Sequence, residues 1–158
     1  NLIRYSEPFG MKVNIFDPFI DYQSNNRVKV VDSLDKLFNS SDIVCICVHL
    51  DSNTKGMIGS NEINQLKNGA FLINTSRGEV IQEDALIDGL RSGKIKSAGV
   101  DVVCNEHLLP NEENSLINYA KENDNLIITP HIAGLTIDSE IKAQKAAYYA
   151  CLEYFDLN

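Results

Sequence analysis

The 158-residue sequence has no long apolar run and comparatively little positive charge. No stretch approaches the roughly 20 consecutive apolar residues that a helix needs to cross a bilayer, so no membrane partner is expected. Acidic residues outnumber basic ones, 22 against 14, and the formal net charge is −8. Such a surface repels phosphate groups and anionic lipid, so nucleic acid is not an expected partner either.

Paired-cysteine motifs are also absent. The four cysteines are Cys45, Cys47, Cys104 and Cys151, and no two of them form a CxxC pair. This spacing disfavours both a disulfide framework and a zinc site, and we expect no metal. Because free cysteines are usually small core residues, we predict buried, reduced thiols and, from them, a cytoplasmic protein.

What the sequence does contain is a regular alternation of short β-rich runs with amphipathic segments. The predicted strands are Lys12–Phe16, Val28–Val31, Ile43–Val48, Ala70–Thr75, Ala98–Val103 and Leu126–Thr129. The predicted helices are Leu2–Phe9, Leu34–Asn39, Asn61–Lys67, Glu83–Ser92, Glu112–Glu122 and Ile137–Phe155. The strands are nearly continuous in Val, Ile, Leu and Cys, which is typical of strands buried on both faces. We predict one α/β domain with a doubly wound parallel sheet; the alternative is a mixed α+β domain.

In such sheets, ligands bind beyond the carboxyl ends of the strands. Asp17 follows the first strand, where a carboxylate either accepts hydrogen bonds from adenosine ribose hydroxyls or, with Pro18, opens a turn. Arg77 follows the fourth strand, and Gly78 after it permits a tight turn or the close approach of a ligand. The planar guanidinium suits a carboxylate or a polarised carbonyl oxygen, although pairing with Glu79 is an alternative.

The fifth and sixth strands also end in residues that carry chemistry. Asp101 lies in an apolar stretch, so its carboxylate needs a hydrogen-bond donor, for which a ligand amide is one candidate. His131 follows Pro130 just past the sixth strand, and a lone histidine there is more often structural than catalytic. Because adjacent parallel strand ends converge on one crevice, Arg77, Glu106 and His131 together favour a catalytic interpretation.

Three sequence blocks carry a resemblance to a known family. They are Asn74–Val80, Gly99–Val102 followed by Glu106, and Thr129–Gly134. Together they resemble the signature blocks of the D-isomer-specific 2-hydroxyacid dehydrogenases, which include phosphoglycerate, glycerate, hydroxypyruvate, lactate and formate dehydrogenases. The similarity runs in order to about Phe155 and implies a Rossmann-type NAD-binding domain.

The resemblance implies a role for each site residue. Arg77 would hold the carboxylate and 2-oxygen of the substrate, His131 would be the general acid/base, and Glu106 would orient the imidazole. Asp101 would bind the nicotinamide carboxamide, and Asp17 the adenosine ribose, which favours NAD over NADP. The cofactor would also be contacted by Thr75, Ser76, Arg77, His131 and Gly134.

The other two histidines compete less well for the catalytic role. His49 follows a strand and is interpreted as a strand-end residue near the cofactor. His107 adjoins Glu106, but His131 fits the catalytic block of the family far better. The Glu106 assignment depends on Val103–His107, which departs from the usual proline- and glutamate-rich run of the family.

Two parts that the family would supply are not in this sequence. The first strand and the glycine-rich turn that holds the pyrophosphate would precede Asn1, and the substrate domain is also missing. We therefore expect residues 1–158 to form a partial NAD-binding domain that is inactive alone. Because the missing strand is normally central, we predict an empty lane or a non-native pairing between the strands ending at Phe16 and Val48.

The function implied by the resemblance is an NAD-dependent oxidoreductase acting on small 2-hydroxy or 2-oxo acids. A homodimer is expected, because family members commonly dimerise through this domain. The alternatives are a non-catalytic, NAD(H)-sensing module of the corepressor type on the same fold, and an unrelated doubly wound binding domain. Retention of Arg77, Glu106 and His131 favours the enzyme, since a sensor need not keep an acid/base pair.

Overall fold

Six short strands alternate with helices in the protein, whose computed structural model describes residues 1–19, 22–108 and 113–156. The strands are β1 Val13–Ile15, β2 Val28–Val30, β3 Ile43–Ile46, β4 Ala70–Asn74, β5 Ile95–Val100 and β6 Leu126–Ile128. The helices are α1 Leu2–Ser6, α2 Leu34–Ser40, α3 Ser60–Gln65, α4 Glu83–Arg91, α5 Ser115–Glu122 and α6 Ile137–Tyr154. Short 3₁₀ turns lie at Glu7–Phe9, Gly78–Val80 and Glu106–Leu108. The predicted α/β alternation is confirmed, although α5 begins at Ser115; the predicted start at Glu112 lies outside the described residues.

Polar side chains determine where three of the helices begin. The Ser33 side chain accepts a hydrogen bond from the Lys36 amide at the start of α2, and Asn114 does the same for Ile117 at the start of α5. Thr136 caps α6, as its position before an acidic first turn indicates. Such caps satisfy amide groups that have no partner within the helix.

All strand pairs are parallel, but they form two separate sheets. One contains β1 and β2, and the other has the order β3-β4-β5-β6. Among the described strands, none pairs β1 or β2 with β3. The predicted break in the sheet is therefore confirmed.

The hydrophobic core lies on one face of the four-stranded sheet. Helices α2 to α5 all contribute to it, and its most deeply buried members include Phe38, Leu66, Leu72, Leu86 and Ile95. Burial alternates along β4, where Ala70, Leu72 and Asn74 are buried while the residues between them are exposed. This alternation is typical of a sheet with one covered face.

The prediction that the strands are buried on both faces was wrong. On the uncovered face, Ile43 is 42% exposed, Phe71 38%, Ile73 40% and Ile127 66%. The physical reason is that the four helices with apolar faces pack on the same side, while α6 buries none of its residues. No helix in the described ranges is long and apolar enough to cross a membrane.

The cysteines are unpaired, but none is buried. Cys45 and Cys104 are half-buried, and Cys47 and Cys151 are exposed. The prediction of buried thiols was therefore wrong. Cys45 belongs to β3 at the edge of the sheet, where it alternates with the core residues of that strand, and Cys151 lies on α6.

Candidate active site

Three strand ends meet at one edge of the four-stranded sheet. Strands β4, β5 and β6 are consecutive and parallel, so the segments that follow them leave the sheet side by side. These segments carry Arg77, Glu106 and His131, respectively. Since neighbouring strands lie about 4.8 Å apart, the ends of β4 and β6 are separated by about 10 Å.

His131 and Glu106 form a direct side-chain pair. The distance from Nδ1 of the imidazole to Oε1 of the carboxylate is 2.6 Å. An ionised carboxylate only accepts hydrogen bonds, so its partner Nδ1 carries the proton, and Nε2 is the ring nitrogen that makes no hydrogen bond among the described residues. The two side chains are 46% and 36% exposed, so solvent and small molecules reach the pair. The predicted pairing of these two residues is present in the structure.

The His131 backbone is in an unusual conformation. Its φ angle is 52°, in the left-handed region that residues other than glycine adopt in only a few per cent of cases, histidine among the more frequent of them. Its amide lies 2.9 Å from the Asp101 carbonyl oxygen and 3.0 Å from that of Thr129, and donates to both. The surrounding chain thus holds the imidazole in a conformation that the residue itself does not favour.

The Asp101 carboxylate is buried and receives hydrogen bonds from the segment that carries His131. The Thr129 hydroxyl donates to Oδ1, and so does the Ile132 amide at 3.0 Å. The Ala133 amide donates to Oδ2 at 2.8 Å. Burial alone would raise the pKa of Asp101, but these three hydrogen bonds and the nearby imidazole outweigh it and lower the pKa below its usual 3.8. The expected donors are therefore supplied by the chain itself, and the nicotinamide role of Asp101 stays a prediction.

The turn after β4 is built around the side chain of Asn74. This side chain is only 1% exposed, and its Oδ1 accepts from the Ser76 amide at 3.0 Å and the Ser76 hydroxyl at 2.8 Å. Its Nδ2 donates to the Arg77 carbonyl oxygen at 2.9 Å. Asn74 thus fixes the path of the chain through the exposed residue Thr75 and the buried residue Ser76.

Arg77 is exposed, and its Nη1 donates to the Ser76 carbonyl oxygen at 2.6 Å. Among the described residues, no carboxylate forms a salt bridge with this guanidinium. The alternative partner Glu79 instead accepts from the Asn105 amide at 3.3 Å. The guanidinium therefore keeps N–H groups for an anionic ligand at this edge.

Gly78 allows a close approach, but of the protein's own backbone. A side-chain carbon at this position would overlap the backbone of Val103 and Cys104, which follow β5. The turn after β4 and the turn after β5 are therefore packed directly against each other. This contact gives a physical reason for the glycine other than the close approach of a ligand.

The chain that leads to Glu106 is held by two carboxylates. The Cys104 amide donates to Glu83 at 2.8 Å, and Asn105, with a left-handed φ of 54°, donates to Glu79. Burial raises the pKa of the Cys104 thiol to about 12, and the negative charges of Glu83 and Glu79 contribute to the rise. Cys104 is therefore a protonated thiol, not a nucleophile.

A groove runs beside the pair of His131 and Glu106. Its lining includes Glu106, Ile117, Ala120, Lys121, Thr129 and His131. Arg77 does not line this groove; it lies two strands away along the same sheet edge. The structure thus brings His131 and Glu106 into contact and places Arg77 at the same edge without a direct contact to them.

The remaining predicted site residues lie in loops. Asp17 is half-buried, and its Oδ1 accepts from the Phe19 amide at 2.9 Å, so the turn interpretation describes its observed contact. Gly134 is exposed, and its carbonyl oxygen accepts from the Ser139 hydroxyl. Contacts of Asp17 and Gly134 with the cofactor remain predictions. His49 and His107 are exposed strand-end and turn residues.

Several residues organise the site through contacts that were not predicted from the sequence. They are Asn74, Glu79, Glu83, Asn114 and Thr129. Asn74 and Thr129 had a usable signal, because a polar side chain at the end of an apolar strand needs a hydrogen-bond partner. Glu83 had no such signal, because its partner Cys104 lies 21 positions away in the sequence.

Comparison with known proteins assigns the chain to a family. Residues 1–133 match the family model described as D-isomer specific 2-hydroxyacid dehydrogenase, NAD binding domain. The chain belongs to this family, and the resemblance drawn from the sequence blocks is confirmed.

Individual relatives agree with this assignment. A protein named dehydrogenase efuE of Hormonema carpetanum is 37% identical over 155 residues, covering 92% of this chain and 37% of that protein. A D-3-phosphoglycerate dehydrogenase of Haemophilus influenzae is 39% identical over 135 residues, covering 85% and 32%. The chain therefore spans about a third of the length of these relatives.

Solved structures show the same fold. The D-lactate dehydrogenase of Aquifex aeolicus, complexed with NAD and lactic acid, gives a TM-score of 0.78 at 32% identity, covering 99% of this chain and 52% of that one. The D-lactate dehydrogenase of Lactobacillus jensenii, with NAD⁺, gives a TM-score of 0.79 at 27% identity, covering 87% and 43%. The Rossmann-type fold class is thus confirmed.

Proposed function

We propose that the protein containing this chain is an NAD-dependent oxidoreductase that interconverts a small D-2-hydroxy acid and its 2-oxo acid. The observation that carries the proposal is the contact between Nδ1 of His131 and Oε1 of Glu106, 2.6 Å long, at the carboxyl edge of a parallel sheet. The activity is proposed for a protein of the relatives' length, because the chain covers only about a third of theirs.

His131 is the proposed general acid/base. The Glu106 carboxylate orients the imidazole and fixes the proton on Nδ1, so that Nε2 faces the reacting oxygen. In reduction of a 2-oxo acid, protonated Nε2 gives its proton to the carbonyl oxygen. In oxidation, neutral Nε2 takes the proton from the 2-hydroxyl group.

Arg77 is the proposed partner of the substrate carboxylate. Its guanidinium is exposed and without a carboxylate partner among the described residues. A guanidinium binds a carboxylate through two parallel hydrogen bonds, which fixes the orientation of a small acid. A separation of about 10 Å between the strand ends leaves room for such an acid between Arg77 and His131.

Residues that follow the strands of both sheets fit NAD as the cofactor. Asp17 lies two residues past β1, and its Oδ2 has no hydrogen-bond partner among the described residues, so the carboxylate suits a ribose hydroxyl. Asp101, Thr75, Ser76 and Gly134 are proposed to line the nicotinamide half of the site. NAD, when bound, supplies the hydride chemistry; the protein supplies position and charge.

The assignment of His131 is tested in the intact protein by His131→Ala. We expect kcat for reduction of a 2-oxo acid by NADH to fall by at least ~10²-fold, since acid/base catalysis contributes about that much. The matched control is His107→Ala, which removes an exposed imidazole next to Glu106 and should leave kcat unchanged. Equal kcat values for the His131 variant and the unmodified protein would reject the proposal.

Cofactor affinity and turnover, measured separately on the intact protein, distinguish the enzyme from a nucleotide sensor. Titration of NADH fluorescence gives cofactor affinity independently of turnover. Tight binding without turnover of glyoxylate, hydroxypyruvate, pyruvate or phosphohydroxypyruvate would favour a non-catalytic NAD(H)-sensing module.

The cytoplasmic location and the homodimer are further predictions. The first rests on the unpaired cysteines, and the second rests on the family.

A further inference from the structure

Glu83, the first residue of α4, receives hydrogen bonds from two other parts of the chain. Its Oε1 accepts from the Cys104 amide at 2.8 Å. The Asn114 side-chain amide lies 3.1 Å from both carboxylate oxygens, and the Ser115 hydroxyl donates to Oε2 at 3.1 Å. One carboxylate thus joins the start of α4, the chain after β5 and the start of α5.

The backbone that Glu83 holds leads directly to Glu106. Cys104 precedes Glu106 by two residues, and Asn105 between them is in the left-handed conformation, with its amide bonded to Glu79. The Leu108 amide then donates to the Asn105 carbonyl oxygen at 2.8 Å, which closes the 3₁₀ turn. The backbone that carries the Glu106 side chain is therefore held by hydrogen bonds both before and after it.

We infer that Glu83 is a positioning residue that holds Glu106 at hydrogen-bonding distance from Nδ1 of His131. Glu83 contacts neither member of the pair, so it acts through the backbone at Cys104. Its effect on the imidazole is independent of activity, whereas any effect on turnover rests on the proposed function.

A purely structural role for Glu83 makes a different prediction. A carboxylate in the first turn of a helix stabilises that helix through its dipole wherever it points. Asp84 occupies the same turn of α4, is exposed, and makes no side-chain hydrogen bond among the described residues. Asp84→Asn therefore removes the same charge at the same helix end without releasing the turn that leads to Glu106.

The inference is tested by the tautomer of His131 in the ¹⁵N-labelled chain. The protein has three histidines, so the imidazole nitrogen signals can be assigned by mutation. In the unmodified chain above the titration range we expect the Nδ1–H tautomer at His131, because the carboxylate accepts from Nδ1. Glu106→Ala, the positive control, should shift it to the Nε2–H form.

Glu83→Gln should shift the same signals toward the Nε2–H form, since an amide has one acceptor oxygen where the carboxylate has two. Glu83→Asp keeps the charge but shortens the side chain, so it should also release the Cys104 amide and give the same shift. Asp84→Asn should leave the tautomer unchanged. Using both Glu83 variants guards against one of them failing to fold, which a thermal melt reports.

The inference is overturned if the folded Glu83 variants retain the Nδ1–H tautomer, or if Asp84→Asn shifts it as much as they do. In the intact protein, Glu83→Gln should lower kcat by up to ~10²-fold, the cost of a small misplacement of a catalytic group, with little change in KM for NADH. If His131→Ala lowers kcat while Glu83→Gln changes neither tautomer nor kcat, the positioning role fails and the proposed function stands. If Glu83→Gln changes the tautomer while His131→Ala leaves kcat unchanged, the positioning role stands and the proposed function fails.

Discussion

Asp101 illustrates how a single buried carboxylate organises this site. Its two oxygens accept hydrogen bonds from three donors on the segment from Thr129 to Ala133, the segment that carries His131. Because the folded pKa is lowered, the ionised form stabilises the fold. This stabilisation is present above the unfolded pKa and is lost as the pH falls through the folded pKa.

Asp101→Asn should therefore destabilise the chain at neutral pH. The amide turns an N–H group toward one of the backbone donors, and we expect a loss of about 2 kcal/mol in the free energy of unfolding. The deficit should begin to shrink as the pH falls below 3.8, where the side chain of the unfolded chain takes up a proton, and should shrink further as the pH falls through the lower folded pKa. Urea denaturation at pH 7 and pH 3 measures both values.

The matched control is Asp88→Asn, which neutralises an exposed carboxylate on α4. Its effect on unfolding should be small at both pH values. A deficit for Asp101→Asn that stays constant between pH 7 and pH 3 would show that the ionised carboxylate is not what stabilises the loop.

At the scale of elements, the turns after β4 and β5 are packed together through Gly78. A methyl group there would overlap the backbone of Val103 and Cys104. Gly78→Ala should lower the free energy of unfolding by about 3 kcal/mol, the upper range for overpacking a rigid site. Thermal or urea denaturation measures it.

Gly99 provides the comparison for that substitution. It lies in β5, and a side-chain carbon there would meet nothing within 4 Å. Gly99→Ala should be neutral or slightly stabilising, because alanine loses less conformational entropy than glycine on folding. Equal destabilisation by the two substitutions would contradict the proposed contact between the turns.

The sequence predicted the strands and the pair of His131 and Glu106 better than the hydrogen bonds that surround that pair. The apolar runs located all six strands, and the ordered blocks identified His131 and Glu106, which the structure brings within 2.6 Å. Hydrogen bonds such as that from Cys104 to Glu83 could not be predicted, because no local sequence pattern indicates a partner 21 positions away. Composition also could not show which sheet face the helices leave uncovered, since Phe71 and Leu72 are equally apolar but lie on opposite faces.

At the scale of the whole molecule, the two sheets differ in how they are held. The main core includes residues of β3 to β6 and α2 to α5, and none from β1 or β2. The small sheet consists of two strands of three residues each. Val28 is the one buried residue in these two strands, so the ladder has few apolar contacts to resist local opening.

Native-state hydrogen exchange should therefore separate the two sheets. Amides of β1 and β2 should exchange through local openings of low free energy, whereas the central strands β4 and β5 should exchange only by global unfolding. Measurement by NMR as a function of low urea concentration tests this, with β5 as the internal reference. A single opening free energy shared by Val28 and Leu72 would mean that the sheets unfold as one unit.

The left-handed backbone at His131 has a consequence for folding. A non-glycine residue there gives up about 1–2 kcal/mol relative to glycine, which enters this region freely. Part of the stability of the fold is thus given up to set the direction of one imidazole ring. The hydrogen bonds that hold the next two residues to the Asp101 carboxylate compensate for that loss.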